Sequence, residues 1–351
     1  MGASDWKNLK IAILTPTFYE YSGIDRLVEN EAEELKKDNN EVTIFTFSAT
    51  IRTKNAMVIR LGMPKTQTLE RIYRLFFFLD IPKLIKYTRA LRSYDIVISH
   101  FYPLNILPCQ AKFFRHKFKY IYHNAGVVHP ELFQRFSERL YLRLFRFLNN
   151  LTIKNADEII SISKYLSEEL KKETGLDSRV VYPTIDKRRF HKNSNGYRIR
   201  KRFKLEDSLV ILYVGRISPH KGVHLLLESF KLARVRIKNI KLVIVGKATF
   251  SGYFEKLKEI AGDASRDIIF AGYIPDEELQ EFYSACDVYV SASLWEGFNL
   301  PLAEAQACGK PVVAFDLCSH PEVVRDGILV KPNDTSKFAE AIVKILEKKH
   351  T

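Results

Sequence analysis

Cysteine is scarce in this 351-residue chain, and the four present carry no informative spacing. Cys109, Cys286, Cys308 and Cys318 form no C-x-x-C pair and show no accompanying His spacing of a metal site. That pattern speaks against structural zinc and against a disulfide scaffold, so a reducing cytoplasm is the expected compartment. No apolar run approaches the ~20 residues needed to span a bilayer. The most conspicuous is Leu75-Phe76-Phe77-Phe78-Leu79. No secretory leader is legible at the start, where an acidic and a basic residue precede an apolar run ending at Thr15-Pro16. There is no G-x-G-x-x-G dinucleotide fingerprint and no Asp-x-Asp pair to carry a divalent ion. No nucleic-acid module is recognisable either, so no nucleic-acid partner is expected.

An apolar content of 46% and a charged content of 27% place the chain among globular proteins. Its length suffices for two domains with separate cores. The net charge of +14 is localised. Residues 51–154 hold 19 Lys/Arg against 5 Asp/Glu, and the rest of the chain balances at 36 of each sign. Such an excess points to an anionic partner at that segment.

Short apolar runs alternate with helical patterns along the whole length. In the first half, runs at 10–15, 42–47, 95–99, 120–122, 156–163 and 180–182 read as strands. Helices are expected at 25–37 and 164–173, and Pro82 is expected to split a basic, aromatic helical segment within 51–93. Residues 132–149 read as a basic amphipathic helix. Arg135, Arg139, Arg143 and Arg146 lie on one stripe, beside Phe136, Leu140, Leu144, Phe147 and Leu148. Two readings stay open for it: an anionic membrane surface, or a helix whose apolar side faces the core. In the second half, strands are expected at 209–214, 241–245, 268–271, 287–290 and 312–315, with helices between them. This alternation makes doubly wound parallel sheets. A hinge fits the polar run 191–195, giving domains of 1–190 and 191–351.

Residues 291–313, S-A-S-L-W-E-G-F-N-L-P-L-A-E-A-Q-A-C-G-K-P-V-V, read as strand end, Gly-containing loop, helix from about Pro301, and next strand. Unpaired amides at such a helix start, around Gly297, Phe298, Asn299 and Leu300, make a seat for a diphosphate. Glu296 and Glu304 flank it. A carboxylate beside a phosphate is repelled by it, so both suit sugar or ribose hydroxyls, or are a solvated Glu and a helix-start Glu. The loop G-R-I-S-P-H-K-G at 215–222 follows the first strand of this half. Its Arg216 and Lys221 can converge on one anion, the service a metal ion would otherwise give. In the first half, His123 sits at a strand's C-terminal end, where open parallel sheets bind ligands, with His100 and His129 as alternatives.

The string E-G-F-N-L-P-L-A-E-A-Q-A-C-G-K-P-V-V-A, together with G-R-x-x-x-x-K-G, resembles the signature of the GT-B glycosyltransferases of family 4. The resemblance implies two Rossmann-like domains facing an interdomain cleft. It implies retaining, metal-independent transfer of a hexose from a nucleotide-diphosphate sugar (UDP- or GDP-) with no cofactor. Glu296 would bond the donor sugar and Glu304 the ribose, while Gly215 and the 297–300 amides would line the diphosphate. Arg216 and Lys221 would steady the leaving group, and His123 would lie near the reacting sugar. The basic, aromatic composition of 51–154, rather than the resemblance, suggests a lipid-linked or glycan acceptor, with 69–93 and 131–149 touching an anionic cytoplasmic membrane face.

This chain also departs from the family pattern. Asn299 replaces the usual Gly, Ser22-Gly23 stands for Gly-Gly in the first loop, Lys247-Ala248 follows Gly246, and Ser319-His320 stands for a second Gly-Gly. Gly23 is expected to keep a close approach of backbone to substrate. Two other classes remain: another GT-B enzyme, such as a nucleotide-sugar epimerase or a phosphorylase, and a non-catalytic nucleotide-sugar-binding subunit.

Overall fold

The computed structural model describes residues 6–19, 23–127, 129–133, 135–248 and 251–348. The chain divides into two compact units, Met1–Tyr182 and Pro183–Thr351. The segment before residue 191 belongs to the second. Phe190 lies edge-on to Tyr283 with centroids 5.8 Å apart, and Arg189 bonds Asp276 at 3.0 Å.

In the first unit the strands are β1 (Lys10–Leu14), β2 (Thr17–Phe18), β3 (Glu41–Thr46), β4 (Ser48–Ala49), β5 (Met57–Arg60), β6 (Ile96–Ser99), β7 (Lys119–Asn124), β8 (Glu158–Ser161) and β9 (Arg179–Val180). Seven form one parallel sheet in the order β5-β3-β1-β6-β7-β8-β9, and β2 pairs with β4. Alternate residues face opposite ways along a strand. Ala12, Leu14 and Val97 therefore join one apolar cluster, and Ile11, Ile13, Ile44 and Ile98 the other. Both faces are covered, as the continuous apolar runs require.

The second unit has β10 (Leu209–Val214), β11 (Ile240–Val245), β12 (Ile268–Gly272), β13 (Val288–Ser291), β14 (Val312–Phe315) and β15 (Gly327–Val330), all parallel, in the order β12-β11-β10-β13-β14-β15. In both sheets the chain winds outward on one side and then returns to the middle. That places a switch point between β1 and β6, and another between β10 and β13. Ligands of open α/β sheets bind outside the strand ends at such points.

Several sequence expectations shift. The segment does split into two helices, Gln67–Leu75 and Ile81–Ala90, with a single 3-10 turn between them, but the break lies before Pro82, which sits in the first turn of the second helix. The helix expected at 132–149 runs Phe136–Thr152, so Arg135 is its N-cap and drops off the basic stripe. Only Phe145 and Asn149 of that helix are buried. Phe136, Leu140, Leu144 and Phe147 are 40–68% exposed, so this apolar stripe does not face the core. Leu69, Ile72, Phe76, Leu79, Ile81 and Ile85 on the two earlier helical segments are also exposed. No helix among the described residues is long and apolar enough to cross a membrane.

Candidate active site

The loops leaving β10 and β13 flank the second switch point, and glycines bring them together. Gly222 has φ +61, and a Cβ there would sit 1.8 Å from the Ala292 carbonyl oxygen. A Cβ on Gly246 would sit 1.9 Å from the Gly215 oxygen, at φ +142. Only glycine permits either contact. The Leu294 amide donates to the His220 carbonyl at 2.8 Å, which pins the 215–222 loop to the 291–296 loop.

That pinning places Lys221 Nζ 2.7 Å from Glu296 Oε1, with the side chains 16% and 10% exposed. Burial pushes the Glu296 carboxyl up, but the charge of Lys221, the neighbouring His320 ring and the bonds from Lys221 and Ser293 outweigh it. The group therefore stays below the usual range and ionised. Burial is the main reason the Lys221 amine is lowered, with Arg216 adding to it and Glu296 opposing. Arg216 is exposed, and its charge acts on Lys221, His220 and Tyr213. Tyr213 holds that loop through its hydroxyl, which donates to the Arg216 carbonyl at 3.0 Å. The charge of Arg216 thus reaches Lys221, and Lys221 is paired with Glu296 next to Gly297.

The helix expected from Pro301 spans Leu300–Ala307, with Asn299 as its N-cap at φ 67, ψ 67. Asn299 Oδ1 accepts from the Leu302 amide at 3.3 Å. Its Nδ2 donates to Ser291 Oγ and to His320 Nε2, each at 2.9 Å. His320 is fully buried, and its Nδ1 lies 2.7 Å from the Phe315 carbonyl, which fixes the hydrogen on Nδ1. Ser319 Oγ donates to the Glu296 carbonyl at 3.2 Å. Two departures from the family string, Asn299 and His320, are therefore bonded to each other. Together they tie the ends of β13 and β14 to the helix start. Because Asn299 takes the Leu302 amide itself, the expected diphosphate seat is confined to Gly297, Phe298, Asn299 and Leu300.

Glu304 lies in the second turn of this helix rather than the first. It is buried, and Oε2 accepts from Tyr283 Oη at 2.7 Å. Gly23 opens helix Gly23–Lys37, and a Cβ there would meet nothing within 4 Å. The protein's own packing does not require glycine at that position. Ser22, its partner in the expected loop, lies outside the described residues.

His123 is in β7, and neither it nor His100 stands alone. His100 Nε2 is 2.9 Å and His123 Nδ1 3.1 Å from the two carboxylate oxygens of Glu31. Sequence reading missed Glu31. A signal existed, since it adjoins the buried stripe Val28, Ala32 and Leu35, where a carboxylate needs a partner. His129, the third alternative, pairs instead with Glu169, and Tyr165 Oη lies 3.4 Å from its Nε2.

Comparison with known proteins accounts for nearly the whole chain. The family model described as Glycosyltransferase Family 4 matches residues 21–189, and that described as Glycosyl transferases group 1 matches 197–351. The O-antigen chain mannosyltransferase B of Escherichia coli is 32% identical over 154 residues, 42% of this chain and 40% of that protein. The match thus spans less than half of that relative's length. An uncharacterized glycosyltransferase of Methanocaldococcus jannaschii is 25% identical over 362 residues, 95% of this chain and 89% of that protein. Among solved structures, Anabaena HepE in complex with UDP and glucose superposes with a TM-score of 0.80 at 20% identity, covering 97% of this chain and 91% of that one. On these matches and on two parallel-sheet units of this topology, the chain belongs to the family 4 glycosyltransferases of the GT-B fold.

Proposed function

We propose that the protein transfers a hexose, with retention of configuration and without a metal ion, from a UDP- or GDP-sugar to a lipid-linked or glycan acceptor. The observation that carries this reading is the buried Lys221–Glu296 pair at the turn into helix Leu300–Ala307. An ammonium has three N–H donors, and Glu296 engages one of them. The remaining donors, the Arg216 guanidinium and the 297–300 amides supply fixed positive potential where charge grows on a departing diphosphate. Glu296, ionised and held by Lys221, has its second oxygen to accept from a sugar hydroxyl. Glu304, set by Tyr283, is assigned to the ribose, and Gly215 lets backbone lie close to the diphosphate. His123 is assigned to the reacting face of the sugar.

The acceptor class draws support from the relatives, one of which is named for transfer of mannose to an O-antigen chain. The exposed apolar residues of 69–85 and 136–147, within a segment rich in Lys and Arg, favour peripheral contact with an anionic membrane surface. The test is release of nucleoside diphosphate from UDP- and GDP-sugars, with the anomer of the product read by NMR. Release that depends on acceptor, persists in EDTA and keeps the anomeric configuration supports the reading. Release independent of acceptor, or an inverted product, overturns it.

A further inference from the structure

Three side chains from three separate elements meet on the first unit. Glu31 comes from helix Gly23–Lys37, His100 directly follows β6, and His123 lies in β7. One carboxylate holds both rings, one oxygen each: Oε2 faces His100 Nε2 at 2.9 Å and Oε1 faces His123 Nδ1 at 3.1 Å. The imidazoles stand edge to face with centroids 5.2 Å apart. His100 is sealed at 0% exposure, whereas His123 keeps 16%. The cluster therefore opens on the side of His123 and Glu31, which is 15% exposed.

The protons follow from the carboxylate. Burial pushes Glu31 up, but the neighbouring His123 ring and the bond from His100 pull it below its usual range, so it is ionised and can only accept. His100 Nε2, bonded to it, must then carry hydrogen, and His123 Nδ1, 3.1 Å from the other oxygen, is placed to do the same. His123 has its hydrogen on Nδ1 and its lone pair on Nε2. For His123, burial is the largest effect and lowers its affinity for a second proton. His100 and Arg179 of β9 add to this, while Glu31 and Glu158 of β8 oppose it. The outcome is a neutral ring in one tautomer.

We infer that Glu31 is a positioning residue for His123, fixing Nδ1–H so that Nε2 offers a lone pair to a substrate hydroxyl, with His100 locking the carboxylate through its other oxygen. This rests on the assignment of His123 to the sugar made above, and it names the chemistry recognised there. The partner must donate a hydrogen bond, so a sugar or acceptor hydroxyl fits and an ionised phosphate does not. Glu31, His100 and His123 are also metal-ligand types, with ligand atoms within 4.8 Å of one another. A metal at that point would need the lone pairs of the nitrogens that now face Glu31, which is the opposite pair of tautomers.

The test uses the full-length chain labelled with ¹⁵N-histidine, its His123 signal assigned through His123→Asn. At pH 8 the wild type is expected to show the Nδ1–H tautomer, and Glu31→Gln a mixture. In steady-state kinetics Glu31→Gln is expected to lower kcat by about 10²-fold, the low end for a positioned proton-handling group. The donor KM should stay within about twofold. The acid limb of its pH–rate profile should move to lower pH, because the carboxylate that favours the imidazolium is gone. Glu31→Asp, which keeps the charge, should recover part of the rate. A wild-type Nε2–H tautomer, an unchanged profile in Glu31→Gln, or stoichiometric Zn²⁺ binding that Glu31→Gln abolishes would overturn the inference. Full turnover by His123→Asn would instead remove the sugar assignment, and the positioning role with it, whatever the tautomer.

Discussion

Replacing Lys221 by Met removes a charge while keeping most of the apolar stem. It leaves the Glu296 carboxylate, 10% exposed, without its 2.7 Å partner. Breaking one side of a buried ion pair costs about 3–5 kcal/mol. His320 and Ser293 still act on Glu296, so the lower figure, about 3 kcal/mol, applies. For a domain the size of Pro183–Thr351 that lowers the melting temperature by roughly 6–12 °C. The double variant Lys221→Met/Glu296→Gln buries no unpaired charge and should recover about 2–3 kcal/mol of the loss, a coupling of the size seen for contacting residues. The pH dependence should invert. In the wild type Glu296 lies below its ordinary 4.5, so its contribution is present above that value and is lost as pH falls through the folded value. In Lys221→Met only His320 and Ser293 still oppose burial, so the carboxyl rises, and the deficit shrinks as pH falls and the group is protonated. Urea denaturation monitored at pH 7.5 and pH 5 measures all of this. A single variant within about 0.5 kcal/mol of wild type, or strictly additive losses in the double variant, would refute the reasoning.

Three further outcomes follow. Asn299 bonds Leu302, Ser291 and His320 at a left-handed φ of 67. Asn299→Ala loses the bonds and keeps the backbone strain, whereas Asn299→Gly loses the bonds but relieves ~1 kcal/mol of strain. Chemical denaturation should therefore rank wild type above Gly and Gly above Ala, and the reverse order for Gly and Ala would contradict the geometry. Gly246→Ala drives a Cβ to 1.9 Å from a backbone oxygen and should destabilise by more than ~3 kcal/mol, whereas Gly23→Ala meets nothing within 4 Å and should stay within ~0.5 kcal/mol. In liposome flotation, binding should need anionic lipid and fall with salt, and Phe136→Ser/Phe147→Ser should weaken it by about tenfold. Binding indifferent to lipid charge and to these changes would remove the membrane reading.

The second unit was legible because its punctuation is local. Gly309 and Pro311 end a helix, Val312–Phe315 is a continuous buried run, and the paired cations lie five residues apart. Besides the two-residue β2 and β4, two strands escape the sequence pattern at the edges of the two large sheets. β5 is half-exposed throughout, and β15 buries only its last residue, so neither shows an apolar run or a clean alternation. The 132–149 pattern was read as a helix with the right faces but the wrong start, since an Arg N-cap gives no capping signal. The Asn299–His320 bond joins positions 21 residues apart, and Glu31 lies 69 residues from His100. Contacts of that separation are made by sheet order. The isolated motifs could point to each residue but not to the pairing.

The central claim is that Arg216, Lys221 and the turn at Gly297 hold a nucleoside diphosphate. Arg216 is exposed, and Arg216→Ala should leave the fold intact while removing a charge-assisted bond to phosphate, worth about 1.5–3 kcal/mol or roughly 10- to 100-fold in Kd. Isothermal titration of UDP and GDP into wild type and Arg216→Ala, at equal ionic strength, measures it directly. The account predicts that one of the two nucleotides binds the wild type and that the variant is weaker by that factor with unchanged melting temperature. No binding of either, or equal affinity for both proteins, would contradict it.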